Sequence, residues 1–469
     1  MIFYLLKRGL LAIFVLWAIS LVTFGLSRMV PGDLVEFSKK NFRYGGNSSE
    51  DLAKLEQEYA RDAHELHLDR PDFYFTLTTA IYPDTFFKIL HRERRQTQSA
   101  LLERTGDWAH VQGFSESVQA AAFLLEKTPD SLGLDDKTAL RKNLQSLRTA
   151  STVSDISAVL AENKVIFAKN PDFLTPFFEK IQASADFLKN AKPGPKSWLP
   201  AFYWYGLDNQ YHHWLMGFLF SKGEKSWVAT DKFASERIAE ALPITLALSG
   251  TGLILSYVLA IPLGVFSARR SGSRFDRWLQ NGLLGIWSMP IFWLASLSVV
   301  FLTSSTSGIK VFPGIGLGDL PENGPFWPRF FEKASHLTLP ILLITLHVLA
   351  LLTRQVRGSV LQQMPELYIR TARAKGLPEA SVFWKHALPN ALFPMITIFG
   401  TLLPATIAGS VVIEVIFQIP GMGQLALTSF QSHDWPVVFY FIQFSALLTV
   451  VGSLLADLLY AWADPRVKF

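Results

Sequence analysis

Residues Glu366–Ala391 read ELYIRTARAKGLPEASVFWKHALPNA. Their pattern predicts two short helices joined by a turn, wedged between long apolar stretches. Ile369, Ala372 and Gly376 recur at helical spacing and make one nearly flat face, while Arg370, Arg373 and Lys375 decorate the rest. Gly376 suits the left-handed residue that closes a helix, and Pro378 suits the first turn of the next. Such a basic hairpin fits two roles, a peg for a partner's groove or an amphipathic patch lying on anionic lipid. The segment alone leaves both open, and the flanking chain decides between them.

On either side the chain is apolar enough to cross a bilayer. Six stretches qualify: Gly9–Ser27, Leu242–Phe266, Trp278–Leu302, Leu337–Leu352, Leu392–Phe417 and Val437–Ala461. Pro340, Pro394 and Pro404 fall inside them, which neighbouring helices make tolerable. Gly250, Gly252, Gly285, Gly400, Gly409 and Gly452 permit close helix approach, with ordinary bundle packing as the plain reading of each. The first stretch is too long for a signal-peptide core and has no small-x-small cleavage site after it, so it reads as a retained span.

Basic residues set the orientation. Lys7 and Arg8, Arg269 to Arg277, Arg354 to Lys385, and Arg466 with Lys468 all fall on one side if the spans number six. That side is expected to be cytoplasmic, with both termini there. The 366–391 hairpin then lies between spans four and five on the cytoplasmic side, and the peg reading gains over the lipid one.

Composition excludes several classes. Hydrophobic residues make up 49% of the chain and charged ones 18%, the balance of a membrane protein with a soluble part. The net charge of +5 fits topology-setting loops, and no polybasic arm suggests nucleic acid. With no cysteine there is no disulfide, thiol catalysis or Cys-held metal. Gly223-Glu224-Lys225-Ser226 is not a phosphate-binding loop, because Glu224 interrupts it. No HExxH or GxSxG occurs. No cofactor and no metal is expected; adjacent His212 and His213 read as plain residues of an interfacial helix.

The long segment between spans one and two, residues 31–238, carries most of the acidic residues and predicts a compact helical insert at about 72–200. Asn47 to Asp51 looks like a helix start, followed by Leu52, Leu55, Tyr59 and Ala63 at helical spacing. Val118, Ala121, Ala122 and Leu125 form one stripe. Phe173, Phe177, Ile181 and Phe187 suggest another after the break at Asn170-Pro171, and Lys192 to Pro195 a closing turn. Three ionisable residues fall within spans: His347, Glu414 and Asp457. Each is a candidate for the solute pathway or a partner contact, beside the plain reading of a structural hydrogen bond.

Arg370-Thr371-Ala372-Arg373-Ala374-Lys375-Gly376 and His386-Ala387-Leu388-Pro389-Asn390-Ala391 resemble the EAA motif, the ATPase-docking segment of ABC importer permeases. Leu26 to Asp33, Leu66-His67-Leu68-Asp69-Arg70-Pro71, Gln210 to Leu215, Leu242-Pro243-Ile244-Thr245-Leu246, Ile261-Pro262-Leu263-Gly264, Val412 to Phe417, Pro420-Gly421-Met422-Gly423 and Ala463-Asp464-Pro465-Arg466 extend the likeness. Together they resemble the dipeptide/oligopeptide/nickel-type permeases. This implies an all-α, polytopic, six-span subunit of type I importer form in a bacterial inner membrane, here with a large extracytoplasmic helical insert where the family has only a few residues.

The resemblance divides the chain into a first span (1–30), an extracytoplasmic region (31–238) and a permease core (239–469) with its coupling segment at 361–391. The subunit would be non-catalytic, paired with a second homologous permease, two cytosolic ATPases and an external substrate-binding protein. Arg370, Thr371, Ala372, Arg373, Ala374, Lys375, Gly376, His386, Leu388 and Pro389 would engage the ATPase. The rival reading is a membrane-anchored sensor or enzyme working through the insert, which shows no catalytic constellation.

Overall fold

The computed structural model describes residues 2–30, 32–35, 52–127, 134–169, 171–303, 311–321, 324–408 and 410–463. Gly409, the helix start at 47–51, and Arg466 and Lys468 lie outside them, as do the side chains of Leu52, Leu55, Phe173 and Phe177. The described chain divides into two compact units, residues 1–29 with 222–469, and residues 30–221.

In the first unit, four helices are long and apolar enough to cross a membrane: Leu6–Met29, Ala234–Arg269, Phe326–Gln363 and Trp435–Leu458. Two bent pairs pass the same test, Arg274–Ser288 with Ile291–Thr303 at 90° and Glu379–Ala391 with Phe393–Thr406 at 49°, giving six if each pair counts as one span. The third expected span, Trp278–Leu302, is therefore not one rod. Pro290 is the cause: it holds the preceding Met289 extended, which ends the first piece, and itself stands at the cap of the second. The fifth, Leu392–Phe417, is also two elements, because the Phe393–Ala408 helix stops before a separate short helix, Val411–Ile416. The fourth runs well past Leu337–Leu352 at both ends.

The Thr251–Arg269 and Phe326–Gln363 helices pack backbone to side chain. A Cβ on Gly252 would lie 2.8 Å from Ile344, and one on Gly264 would lie 2.6 Å from Val356. Only glycine permits that approach. Gly250 and Gly285 meet nothing comparable, so the small-residue signal holds at some positions and not at others. A core of Val265, Leu352, Val356 and Val360 sits at one end of this pair, and Leu248, Leu343, Ile344 and Ile413 belong to a second core.

The second unit is helical apart from one feature that corrects the all-α expectation. Phe75–Thr79 and Pro200–Trp204 form a two-stranded antiparallel sheet, paired from Phe75↔Trp204 to Thr79↔Pro200. Between the strands the helices Arg92–Thr105, Trp108–Lys127, Leu134–Thr149, Val153–Lys169 and Pro171–Asn190 enclose a core of Leu101, Leu102, Val118, Leu125, Leu140, Ile156 and Ile181. Val118, Ala121 and Leu125 are buried as the periodicity predicts. Phe187 is not. It is 40% exposed and stacks on His110, while Leu188 takes the core position. The inward face is Phe178, Ile181, Ala185 and Leu188, one residue out of phase with the expected stripe at its end. The unit reaches from Val30 to Ser221, and residues 222–238 belong with the membrane unit rather than with the insert.

Candidate functional site

The 366–391 segment follows the long Phe326–Gln363 helix as a hairpin of two helical pieces. Glu366 caps the first, Leu367–Ala374, in an extended conformation. Its far end closes as the left-handed glycine suggests. Gly376 has φ +74°, its N–H donates to Arg373 O at 2.9 Å, and Leu377 N–H donates to Ala372 O at 3.4 Å. That pair of bonds is a Schellman closure, which fixes the turn without a side-chain cap. Pro378 then caps a second helical run of Glu379–Ser381, a π-helical turn Val382–Ala387, and Leu388–Ala391. Arg373 Nε donates to Glu379 Oε1 at 2.9 Å and its Nη2 to Oε2 at 3.3 Å, stapling the two pieces across the turn.

The hairpin has an inner and an outer side. Ile369, Ala372, Val382, Phe383, Ala387, Leu388 and Ala391 are buried in the core that holds Val265, Leu283, Val356 and Val360. Arg370, Thr371, Arg373, Ala374, Lys375, Gly376 and Pro389 are exposed, and His386 is half-buried. Of the ten predicted coupling residues, Ala372 and Leu388 thus support the hairpin from within. Leu367 at 76% and Trp384 at 37% exposure add apolar surface that the motif does not single out.

Beneath the hairpin a carboxylate clamp fixes the helices. Ser273 caps Arg274–Ser288 through its side chain, and Asp276 on that helix accepts two bonds from Arg357, Nε at 2.7 Å and Nη2 at 2.8 Å. Ser267 Oγ and the Gly272 N–H complete its acceptor set, at 2.5 and 2.9 Å. In the sequence Arg357 stands only as a topology charge. The Ser273-x-x-Asp276 spacing was the signal available for this site.

The three span candidates are not brought together. Glu414 is fully buried; Thr245 Oγ1 and the Gln424 N–H each donate to it at 2.9 Å, and the Met422 N–H donates to the same threonine at 2.7 Å. A Cβ on Gly421 would strike both Glu414 and Thr245 at 2.6 Å, so the Pro420-Gly421-Met422-Gly423 turn closes over this carboxylate. Asp457 pairs with Arg8 at 2.8 Å, joining the first and last helices. His347 is half-buried, and its Nδ1 makes no hydrogen bond among the described residues. The described residues hold no cluster of three or more metal-ligating side chains.

Residues 260–469 match the family described as binding-protein-dependent transport system inner membrane component. The oligopeptide transport system permease protein AppB of Bacillus subtilis (strain 168) is 39% identical over 270 residues, covering 56% of this chain and 83% of that protein. The peptidoglycan transport system permease protein YejB of Agrobacterium fabrum is 36% identical over 234 residues, 50% of this chain and 64% of the relative. The probable D,D-dipeptide transport system permease protein DdpB of Escherichia coli (strain K12) is 36% identical over 263 residues, 51% and 74% respectively.

Proposed function

Since this chain belongs to the binding-protein-dependent transport system inner membrane component family and is an ABC transporter permease, we propose that it forms half of a translocation pathway for peptides or a similar small solute. Each bent pair of helices counts as one span in this reading, giving six. Both termini and the 361–391 segment face the cytoplasm, and residues 31–221 face the other side. A second homologous permease completes the pathway. Two cytosolic ATPases drive it, an external binding protein delivers the solute, and the surrounding partner is membrane lipid. The chain contributes no nucleotide chemistry of its own; relatives of this family are non-enzymatic transporter components. The sensor or enzyme reading gains no support from the relatives.

One observation carries the coupling role, the two-sidedness of the hairpin. Its inner residues are locked into the Val356–Val360 core, while Arg370, Arg373 and Lys375 stand outward on a turn stapled by Arg373 and Glu379. A push on the outer face therefore moves the long helix rather than bending the hairpin. The natural absence of cysteine makes the test direct. A Lys375→Cys variant should crosslink to the co-expressed ATPase, and in sealed right-side-out vesicles an impermeant thiol reagent should leave it unlabelled. Labelling from outside would refute the orientation.

A further inference from the structure

We propose that the inserted unit, residues 30–221, carries its own binding cleft for a small carboxylate-bearing solute, built around Arg94 and Arg148. Three helices meet there: Leu52–Glu65, Arg92–Thr105 and Leu134–Thr149. Each contributes one charged side chain. Glu56 is the shared acceptor. Arg94 Nη2 donates to its Oε1, His91 Nε2 lies 3.1 Å from its Oε2, and the His91 ring stacks on Tyr59 with centroids 3.8 Å apart.

Arg148 is the member left over. Its Nη2 stops 3.6 Å from Glu56 Oε1, beyond hydrogen-bond reach, and this enclosed donor makes no hydrogen bond among the described residues. A guanidinium stays charged at any pH the protein meets and carries five N–H donors. Two of them around a single carboxylate leave donors and positive charge to spare.

Arg94 borders open space, and Arg148 borders a small cavity beside it. A cleft of about 390 Å³ is lined by Glu56, His91 and Arg94 together with Tyr59, Lys88, Trp108 and Glu116. A smaller cavity of about 20 Å³, lined by Arg148, shares Arg94, Gln98, Ser115 and Gln119 with it. The larger volume falls in the range of small-molecule sites, lined by apolar rings and a few placed polar groups. Lys88 and Arg94 balance Glu56 and Glu116 in the cleft lining, and Arg148, on the adjoining small cavity and 3.6 Å from Glu56, adds one further positive charge. Planar guanidinium forks match carboxylates two bonds at a time, and Glu56 shows that this one already accepts such a group. The rings of Tyr59 and Trp108 suit an apolar body, and Glu116 offers an acceptor for an ammonium, so a zwitterion of dipeptide size fits the lining.

The peptide reading above serves here only to choose the probe. Titration calorimetry on the full chain in detergent, without ATPase or binding protein, should show L-alanyl-L-alanine binding and its C-terminal amide binding at least tenfold more weakly. Arg148→Gln should weaken the dipeptide at least tenfold, and Arg148→Lys should restore part of that loss. Equal binding of acid and amide, or unchanged binding in Arg148→Gln, overturns the cleft. Inorganic phosphate competing as well as the dipeptide overturns the carboxylate assignment. If Arg148→Gln fails to fold, the acid-against-amide comparison on the natural chain still decides. ATP-driven uptake by the assembled transporter is measured separately, so losing the cleft leaves the permease reading standing, and the reverse.

Discussion

Two carboxylate clamps sit at opposite ends of the same 36-residue helical run, Ala234–Arg269, and they are built differently. At about 1.5 Å per residue the run spans roughly 54 Å. Near its start, Arg237 Nη1 reaches Asp434 Oδ2 at 2.8 Å, while Ser226 Oγ and the Trp227 N–H hold the same fully buried carboxylate at 2.5 and 2.8 Å. Just past its end, Asp276 takes both arms of Arg357. The first clamp relies on a loop, with one cation contact. The second relies on a fork between two helices. A loop-held carboxylate anchors the chain where residues 222–233 rejoin the membrane unit. A fork-held one ties two helices together directly under the 366–391 hairpin, the place where the proposed coupling would need stiffness.

The largest effect should come from breaking the fork. Arg357→Ala removes two charge-assisted bonds from a carboxylate left 3% exposed, and should cost about 3 kcal/mol; thermal unfolding of the purified chain measures it. Arg237→Ala should cost roughly half as much, because it removes one bond to Asp434 where Arg357→Ala removes two from Asp276. Equal losses in the two variants would erase the distinction between clamps.

Glu56 in the second unit provides a third case. Burial pushes its carboxyl up, but the His91 bond and the Arg94 charge outweigh that and bring it down from 4.5 to about 2. A depressed folded-state value means the contribution is complete above about 4.5 and is lost as pH falls toward 2. Glu56→Gln should therefore destabilise the chain by about 2 kcal/mol at neutral pH, and the gap from the natural chain should close between pH 5 and pH 2 in denaturant titrations. A gap that widens on acidification would contradict the assignment.

The smallest stability effect belongs to the hairpin staple. Arg373→Ala should cost under about 1 kcal/mol, since both partners are half in solvent, yet it should slow ATP-driven uptake several-fold if turn rigidity matters. Normal uptake would confine the staple to a structural ornament.

Much of this was legible in the residues. The hairpin's flat face, its left-handed Gly376 and its place between apolar stretches follow from spacing and from glycine's freedom at positive φ. What spacing could not supply was pairing across the chain. Asp276 and Arg357 are 81 positions apart, and nothing local marks them as partners. Glu414 read as a pathway candidate because an acidic residue in an apolar run is costly. Its hydrogen-bond partners, Thr245 and the Gln424 N–H beside the 420–423 turn, are ones that only the fold brings to it. The bend at Pro290 was missed because hydropathy integrates over a window and is blind to direction. The strands escaped because FTLTT and PAFYW are five residues each, too short for alternation to stand out in a helical setting.

That short ladder has a genetic consequence. Thr79 and Pro200 are partners across it, and Ala80 N–H reaches Leu199 O at 2.8 Å just beyond, so everything from 80 to 199 leaves and returns through neighbouring residues. Such a doorway lets evolution, or an engineer, splice in cargo of almost any size: joining Thr79 to Pro200 by a tight turn would convert the doorway into a plain hairpin. Replacing 80–199 by such a turn would also strip Glu56 of His91 and Arg94, so the stability of the shortened chain measures how far the insert is a separable accessory.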